Sequence, residues 1–171
     1  MRVGIGYDVH RLVAGIPLTV GGVRIEHSHG LEGHSDADVL IHAMMDALLG
    51  AAGLPDIGHH FPPGDERYRG ASSLHLMAAV RRLLEQEGWK VANLDSTLVA
   101  ESPRMAPHLA SMKQAIGAVL GLSEAGIGIK ATTNEGMGFL GRREGIAAMA
   151  VALIERAEVA DREGNLGSTD L

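Results

Sequence analysis

One segment, residues 39–50, is apolar on almost every side and constrains the fold more than any other part of the chain. Its large apolar residues are Val39, Leu40, Ile41, Met44, Met45, Leu48 and Leu49. A helix of this composition must be buried, because it has no face that water can solvate at low cost. Asp38, His42 and Asp46 recur at intervals of four, which places them on one stripe of the helix. Ionisable groups on a buried helix need partners, so the segment predicts both the centre of the core and a polar site beside it.

Capping signals predict where this helix begins and ends. Ser35 is followed three residues later by Asp38, which resembles a capping box and makes Ser35 the expected N-cap. Gly50 is expected to end the helix. His34 and Ser35 would then lie at the helix N-terminus, where free N–H groups and the helix dipole favour an anion. Plain capping by Ser35 is the simpler explanation of the same two residues.

The rest of the pattern predicts a single catalytic α/β (α+β) domain over residues 1–160. Residues 2–12 alternate with a period of two, as in a strand that carries Asp8 and His10 on one face. We expect a single layer of helices on one face of a small mixed sheet. Residues 161–171 are polar and predicted to be a frayed tail. The other expected elements are a hairpin at 18–25, strands at 91–100 and 126–133, a loop at 55–65, and helices at 72–87, 107–121 and 142–158.

Composition excludes several functional classes. The 171 residues include 15 Lys+Arg and 21 Asp+Glu, and a net charge of −6 argues against a nucleic-acid partner. No apolar run reaches the about 18 residues of a membrane span, so no membrane partner is expected. The first residues lack the pattern of a signal peptide, which favours a cytoplasmic location. The chain has no Cys, so a metal would have to be bound by His and carboxylates.

The strongest candidate centre combines Asp8 and His10 on the first strand with His42 on the buried helix. Two imidazoles and one carboxylate leave the fourth position of a tetrahedral zinc ion open, as catalytic zinc requires. Alternatively, Asp8 and His10 face solvent and His42 is a hydrogen-bonded core residue. The sequence leaves both interpretations open.

A second candidate site surrounds a glycine-rich turn after the strand predicted at 126–133. Lys130, Thr132, Thr133 and Arg142 could bind phosphate oxygens. Glu135 adds a single carboxylate, which suits Mg²⁺ bound together with substrate phosphates. A solvated turn with its charges in water explains these residues equally well.

Motifs in order and spacing over nearly the whole chain resemble the 2-C-methyl-D-erythritol 2,4-cyclodiphosphate synthase family. They are residues 6–10 (GYDVH), 34–39 (HSDADV), 42–50 (HAMMDALLG), 56–58 (DIG), 130–135 (KATTNE) and 138–142 (GFLGR). The resemblance implies a phosphorus–oxygen lyase of the non-mevalonate isoprenoid pathway. It would convert 4-diphosphocytidyl-2-C-methyl-D-erythritol 2-phosphate into 2-C-methyl-D-erythritol 2,4-cyclodiphosphate and CMP. It also implies a homotrimer, packed through the other face of the sheet, with active sites between subunits.

The resemblance further implies which residues bind metals and which assist the reaction. Asp8, His10 and His42 would bind one Zn²⁺ per subunit. Glu135 would bind Mg²⁺ or Mn²⁺ through the substrate diphosphate, and His34 and Thr133 would aid the transition state. The same three metal ligands, His34, Thr133 and Glu135 would also contact substrate, together with Val9, Ser35, Asp56, Ile57, Gly58, Phe61, Asp65, Ala100, Pro103, Arg104, Met105, Ala106, Thr132, Asn134, Phe139 and Arg142.

Two positions depart from the family pattern. Pro63 stands in the substrate loop where the family usually has Asp, which leaves Asp65 as the loop carboxylate that could meet the diol. Arg104 stands where Lys is common in the cytosine-binding segment, and the charge is conserved.

Two other functions would fit the same residues. A zinc-dependent phosphohydrolase could use the three ligands to activate water, with Asp36, Asp38 or Asp46 as the base. A trimeric metal- or ligand-binding protein of the same fold would have no turnover.

Overall fold

The computed structural model describes residues 1–157, which form seven strands and five α-helices. The strands are β1 (Arg2–Ala14), β2 (Leu18–Val20), β3 (Val23–Ile25), β4 (His29–Leu31), β5 (Trp89–Val99), β6 (Ile127–Thr132) and β7 (Gly145–Arg156). The helices are α1 (Val39–Ala52), α2 (Ile57–His60), α3 (Ser73–Gln86), α4 (Leu109–Leu120) and α5 (Gly138–Gly141). Short 3₁₀ segments lie at Glu66–Tyr68, Ala106–His108 and Glu124–Gly126. The tail predicted at 161–171 lies outside the described residues.

Five strands form one mixed sheet in the order β4-β1-β7-β5-β6. Only β5 and β6 pair in parallel, and β2 and β3 form the separate hairpin that the sequence predicts. The small mixed sheet with helices packed on one face is therefore confirmed. No helix among residues 1–157 is long and apolar enough to cross a membrane.

Glycines on β1 allow α1 to lie directly on the sheet. A Cβ atom at Gly4 or Gly6 would overlap the backbone carbonyl oxygens of Ala47 and Ala43. Because strand residues alternate, Asp8 and His10 continue the same face of β1 as these glycines. The close approach of α1 thus brings His42, one residue before Ala43, beside them.

Both predicted ends of α1 are wrong, although the helix and its burial are confirmed. The N-cap is Asp38, whose carboxylate accepts from the backbone N–H of Ile41 at 3.1 Å. That carboxylate also accepts from Gly21 and Gly22 of the β2–β3 turn at 2.9 and 2.6 Å. Burial against the hairpin therefore selects Asp38 over Ser35 as the cap. The helix passes Gly50 and ends before Gly53, whose φ of +76° suits glycine.

The helix predicted at 142–158 is also wrong, because Gly145–Arg156 is the central strand β7. Its helix-facing residues alternate with exposed Met149 and Val151, the period of a strand. An alanine-rich apolar run has high helix propensity, but here small residues are needed where β7 packs beneath α1. The buried residues on this face are Ile146, Ala148, Ala150, Ala152 and Ile154.

The other predicted elements lie within about two residues of their predicted bounds, which is the usual disagreement at element ends. The sequence analysis did not predict β4, α5 or α2, and α2 is a single turn within the predicted loop at 55–65. The core lies between the sheet and the helix layer of α1, α3 and α4, and α1 is its centre.

Candidate metal centre and active site

Three ligand atoms converge where β1 meets α1. Asp8 Oδ2 lies 2.9 Å from His10 Nε2 and 3.1 Å from His42 Nδ1. The two imidazole nitrogens are 3.2 Å apart. Among the described residues these three form the one group of at least three His, Cys, Asp or Glu side chains close enough to share a metal ion. The interpretation in which His42 is a separate core histidine is therefore excluded.

The far nitrogen of each ring has a hydrogen-bond partner of its own. His10 Nδ1 lies 2.7 Å from the carbonyl oxygen of Glu32. Because a carbonyl only accepts, Nδ1 carries a proton, and in the neutral ring Nε2 keeps its lone pair for a metal ion. His42 Nε2 lies 3.0 Å from the hydroxyl of Ser73. Both rings are held with the nitrogens Nε2 of His10 and Nδ1 of His42 directed at Asp8.

The donor set suits a divalent ion in tetrahedral coordination. Metal–nitrogen bonds of about 2.0–2.1 Å place tetrahedral ligands roughly 3.3 Å apart. The distances of 2.9, 3.1 and 3.2 Å between the three ligand atoms are close to that value. Three protein ligands leave one coordination position for substrate or water. The residues present therefore fit a metal of the catalytic kind.

The charge of the cluster also favours a cation. Burial alone would raise the pKa of Asp8, but hydrogen bonds and charge interactions with His10 and His42 hold it well below its usual range. Burial lowers the pKa of His10. The hydrogen bond to Asp8 and the negative charge of Asp8 raise this pKa by more, so the net shift is upward. Asp8 is thus ionised at neutral pH and supplies a negative charge at the point where the ligand atoms meet.

A cavity of about 240 Å³ opens beside the three ligands. Eight predicted site residues line it: Asp8, His10, His34, Ser35, His42, Ile57, Gly58 and Phe61. The sequence analysis missed Met45, Tyr68 and Leu76, and it named Pro63 only as a departure from the family pattern in the substrate loop. Helix periodicity predicts Met45 and Leu76 as core positions rather than site residues. Tyr68 is one of only two tyrosines in the chain, and no motif marked it. Their apolar surface suits a carbon skeleton next to the polar centre.

His34 lines the cavity and is hydrogen-bonded to the loop that contains Asp65. Its Nε2 donates to the backbone carbonyl of Asp65 at 2.9 Å, which leaves Nδ1 as its second polar atom. The Asp65 carboxylate instead pairs with Arg67, and Asp56 accepts from the N–H of His59 to cap α2. Neither carboxylate is among the side chains that line the cavity.

The second predicted group lies elsewhere in the chain, on the turn between β6 and α5. Thr133 donates its hydroxyl proton to Glu135 Oε1 at 3.0 Å. Backbone N–H groups of Asn134 and Gly136 donate to Glu101 Oε1 at 2.8 and 3.2 Å. Glu101, which the sequence analysis did not single out, therefore ties the segment after β5 to this turn.

The other residues of this second group differ in exposure. Thr132, Thr133, Glu135, Phe139 and Arg142 are exposed. In the segment after β5, Arg104 and Ala106 are exposed and Pro103 is half-buried, whereas Ala100 and Met105 belong to the core.

The two groups are separated by three strand spacings within one chain. Val9 pairs with Ala147, Ala147 with Val99, and Val99 with Thr132. At about 4.8 Å per strand this separation is roughly 14 Å. The side chain of Val9 also lies on the face of the sheet opposite to its neighbours Asp8 and His10. Within one chain, Thr132 and the turn after it therefore lie apart from the cavity beside the metal ligands, whereas Arg142 lies nearer because Gly145 pairs with Arg11.

Comparison with known proteins gives consistent matches over nearly all of the chain. The sequence model of the YgbB family matches residues 1–155. The 2-C-methyl-D-erythritol 2,4-cyclodiphosphate synthase of Symbiobacterium thermophilum is 61% identical over 154 residues, which cover 90% of this chain and 98% of that protein. The synthase of the same name from Synechococcus elongatus is 59% identical over 155 residues, which cover 91% and 97%. A solved structure of 2C-methyl-D-erythritol-2,4-cyclodiphosphate synthase in a CDP-bound form has a TM-score of 0.83 at 36% identity and covers 90% of this chain and 100% of its own.

Proposed function

Since this chain belongs to the YgbB family, whose similar members are named 2-C-methyl-D-erythritol 2,4-cyclodiphosphate synthases, we propose that it catalyses their reaction in the non-mevalonate isoprenoid pathway. The substrate is 4-diphosphocytidyl-2-C-methyl-D-erythritol 2-phosphate. An oxygen of its 2-phosphate bonds to the β-phosphorus, the bond from that phosphorus to the bridging oxygen breaks, and CMP leaves. The observation that carries the proposal is the convergence of Asp8, His10 and His42 beside a largely apolar cavity.

Phosphoryl transfer asks the protein mainly to position the reacting groups and to stabilise negative charge. Asp8, His10 and His42 would hold Zn²⁺, which when bound supplies a Lewis acid for the charge that develops on phosphate. His34 is held by the Asp65 carbonyl, so Nδ1 of the protonated ring can donate to a phosphate oxygen without rotation of the ring. No nucleophilic side chain is required, which agrees with the absence of Cys.

The turn between β6 and α5 would supply the diphosphate half of the site. Thr133 and Glu135 already share a hydrogen bond, and Glu135 would bind Mg²⁺ or Mn²⁺ together with the substrate phosphates. The segment from Ala100 to Ala106 would contact the cytosine, and the tie through Glu101 holds it beside this turn. Arg142 would complete the phosphate contacts.

We propose that the two halves meet between subunits of a homotrimer. The separation of roughly 14 Å within one chain is one support. The other is the helix-free face of the sheet, where β1 and β7 expose large apolar side chains: Val3, Ile5, Tyr7, Val9, Met149 and Val151. Exposed apolar patches of this kind are typical of subunit interfaces. A cytoplasmic location, as expected from the sequence, completes the proposal.

The alternative phosphohydrolase would need a free carboxylate beside the metal. The three candidate bases are all engaged elsewhere. Asp36 accepts from Ser73, Asp38 accepts three backbone N–H groups, and Asp46 accepts from the N–H of Ile57 at 2.9 Å. None of them lines the cavity, which favours the cyclisation.

The deciding experiment is incubation of the protein with the cytidyl substrate, Zn²⁺ and Mg²⁺, followed by product analysis. The cyclic diphosphate and CMP in equal amounts would support the synthase. A linear phosphate product would indicate a hydrolase, and tight binding without turnover would indicate a binding protein. The His42→Ala variant is the control for contaminating activity.

A further inference from the structure

We propose that Ser73 and Asp36 are positioning residues that fix the tautomer of His42 and thereby present its Nδ1 to the metal. This inference rests on the proposed metal centre but not on the proposed reaction. Neither residue lines the cavity beside the metal ligands. Asp36 lies within the motif at 34–39, where the resemblance gives it no role at the site, and Ser73 lies outside the motifs. Their effect would be exerted through His42 alone.

A chain of hydrogen bonds leads from the carboxylate of Asp36 to the metal ligands. Ser73 is the first residue of α3 and is fully buried. Its hydroxyl contacts Asp36 Oδ1 on one side and lies 3.0 Å from His42 Nε2 on the other. The second carboxylate oxygen, Oδ2, accepts from the backbone N–H of Ser73 at 2.9 Å.

The direction of each bond follows from what each group can donate. An ionised carboxylate only accepts, so the Ser73 hydroxyl must donate its single proton to Asp36. The Ser73 oxygen then offers only lone pairs to the imidazole. His42 Nε2 must therefore donate a ring proton to Ser73, which in the neutral ring leaves the lone pair of Nδ1 for a metal ion shared with Asp8. This is the tautomer that a metal ligand requires at Nδ1.

Helix capping alone does not explain this arrangement. Ser72 is the N-cap residue of α3, yet its side chain makes no capping hydrogen bond. Asp36 Oδ2 satisfies a free N–H of the helix, so capping needs only one carboxylate oxygen. The other oxygen orients the Ser73 hydroxyl. Ser35 Oγ also lies near His42 Nε2, but at the longer distance of 3.3 Å, and it accepts from the N–H of Ala37.

The test compares Ser73→Ala and Asp36→Asn with the matched control Ser72→Ala, in the full-length protein. Zinc affinity is measured by competition with a chromophoric chelator, without substrate. Loss of an outer-shell partner typically weakens metal binding by about 10- to 100-fold, and we expect this range for Ser73→Ala. Ser72→Ala should bind zinc as the unmodified chain does.

Asp36→Asn tests the direction of the bonds. The new amide can donate to the Ser73 oxygen, which frees the hydroxyl to donate to His42 Nε2. The ring proton should then move to Nδ1, where it competes with the metal. Imidazole ¹⁵N shifts of metal-free protein at alkaline pH report this directly. They are recorded in an Asp8→Ala background, because the Asp8 carboxylate lies 3.1 Å from His42 Nδ1 and would compete for the ring proton. Asp8→Ala should show the proton on Nε2, and Asp36→Asn in the same background should show a shift towards Nδ1.

Three results would overturn the inference. One is equal zinc affinity of Ser73→Ala and Ser72→Ala, and another is a proton on His42 Nδ1 in metal-free Asp8→Ala. That ¹⁵N measurement decides even if Ser73→Ala and Asp36→Asn fail to fold. The third is absence of zinc binding by the unmodified chain, which would remove the metal centre as well. A chain that binds zinc as expected but does not cyclise the substrate would contradict only the proposed reaction.

Discussion

His42 is the residue on which the candidate centre depends, because it alone joins α1 to the ligands on β1. His42→Ala should remove bound zinc and abolish activity while the fold persists, since Asp8 and His10 lie on a separate element. Elemental analysis of purified protein measures the metal, and circular dichroism measures the fold. His75, an exposed histidine on α3, gives the matched control His75→Ala, which should keep full zinc. Full zinc occupancy in His42→Ala would exclude His42 from the site.

Glu135 is the residue whose substitution should distinguish binding of the second metal from binding of zinc. If it binds Mg²⁺ through the substrate, Glu135→Gln should leave zinc in place but raise the Mg²⁺ concentration needed for half-maximal rate. The physical reason is loss of the one anionic ligand that the protein contributes there. Glu124→Gln, at an exposed carboxylate on a 3₁₀ segment, is the control. An unchanged Mg²⁺ titration would return Glu135 to the solvated-turn interpretation.

At the scale of elements, Asp38 joins the β2–β3 hairpin to α1, and its titration should be visible in stability. Burial raises the pKa of Asp38 to about 6, although the N–H groups of Gly22, Ile41 and Gly21 lower it. The folded chain therefore holds this proton more tightly than the unfolded chain, so stability from this group is present at low pH and is lost as the pH rises through about 6.

Asp38→Asn removes the titration and isolates the effect. The free energy of unfolding of the unmodified chain minus that of Asp38→Asn should fall by about 2 kcal/mol from about pH 4 to about pH 7, and then stay constant. Urea unfolding of metal-free protein, in a chelator, keeps metal loss from adding its own pH dependence. A difference that is flat across this range, or that rises with pH, would contradict the raised pKa.

The elements also show why some of the structure could be predicted and some could not. The burial of α1 and the candidate ligands Asp8, His10 and His42 follow from local patterns, an all-round apolar helix and a period-two strand, but these patterns leave open whether the three side chains meet. The failure at β7 has a different cause, because its alanines favour a helix in isolation. Only contact with α1 selects the strand. Likewise the cap at Asp38 depends on the hairpin turn, which is distant in sequence.

At the scale of the whole molecule, the exposed apolar face should hold the subunits together. Ile5 is 74% exposed in the single chain and lies on β1, on the face opposite to Asp8 and His10. Ile5→Asp would bury a charge at the interface and should give monomers in analytical ultracentrifugation, with zinc retained and activity lost. Gln86→Glu places an added charge on α3 instead and should leave the assembly intact. A fully active Ile5→Asp monomer would show that the site does not need a partner.

Subunit complementation tests whether each active site combines two chains. His42→Ala inactivates the metal half, and Thr133→Ala combined with Glu135→Gln inactivates the phosphate half. If the two inactive proteins are unfolded together in equal amounts and reassembled, they should form mixed trimers. If each interface joins the metal half of one subunit to the phosphate half of the next, random assembly makes about one quarter of the sites intact. Activity should return to roughly that fraction of the activity of the unmodified enzyme.

If mass spectrometry confirms mixed trimers and the mixture stays inactive, both halves of each site must come from the same chain. The separation of roughly 14 Å between the two groups would then have to be closed by a rearrangement within that chain.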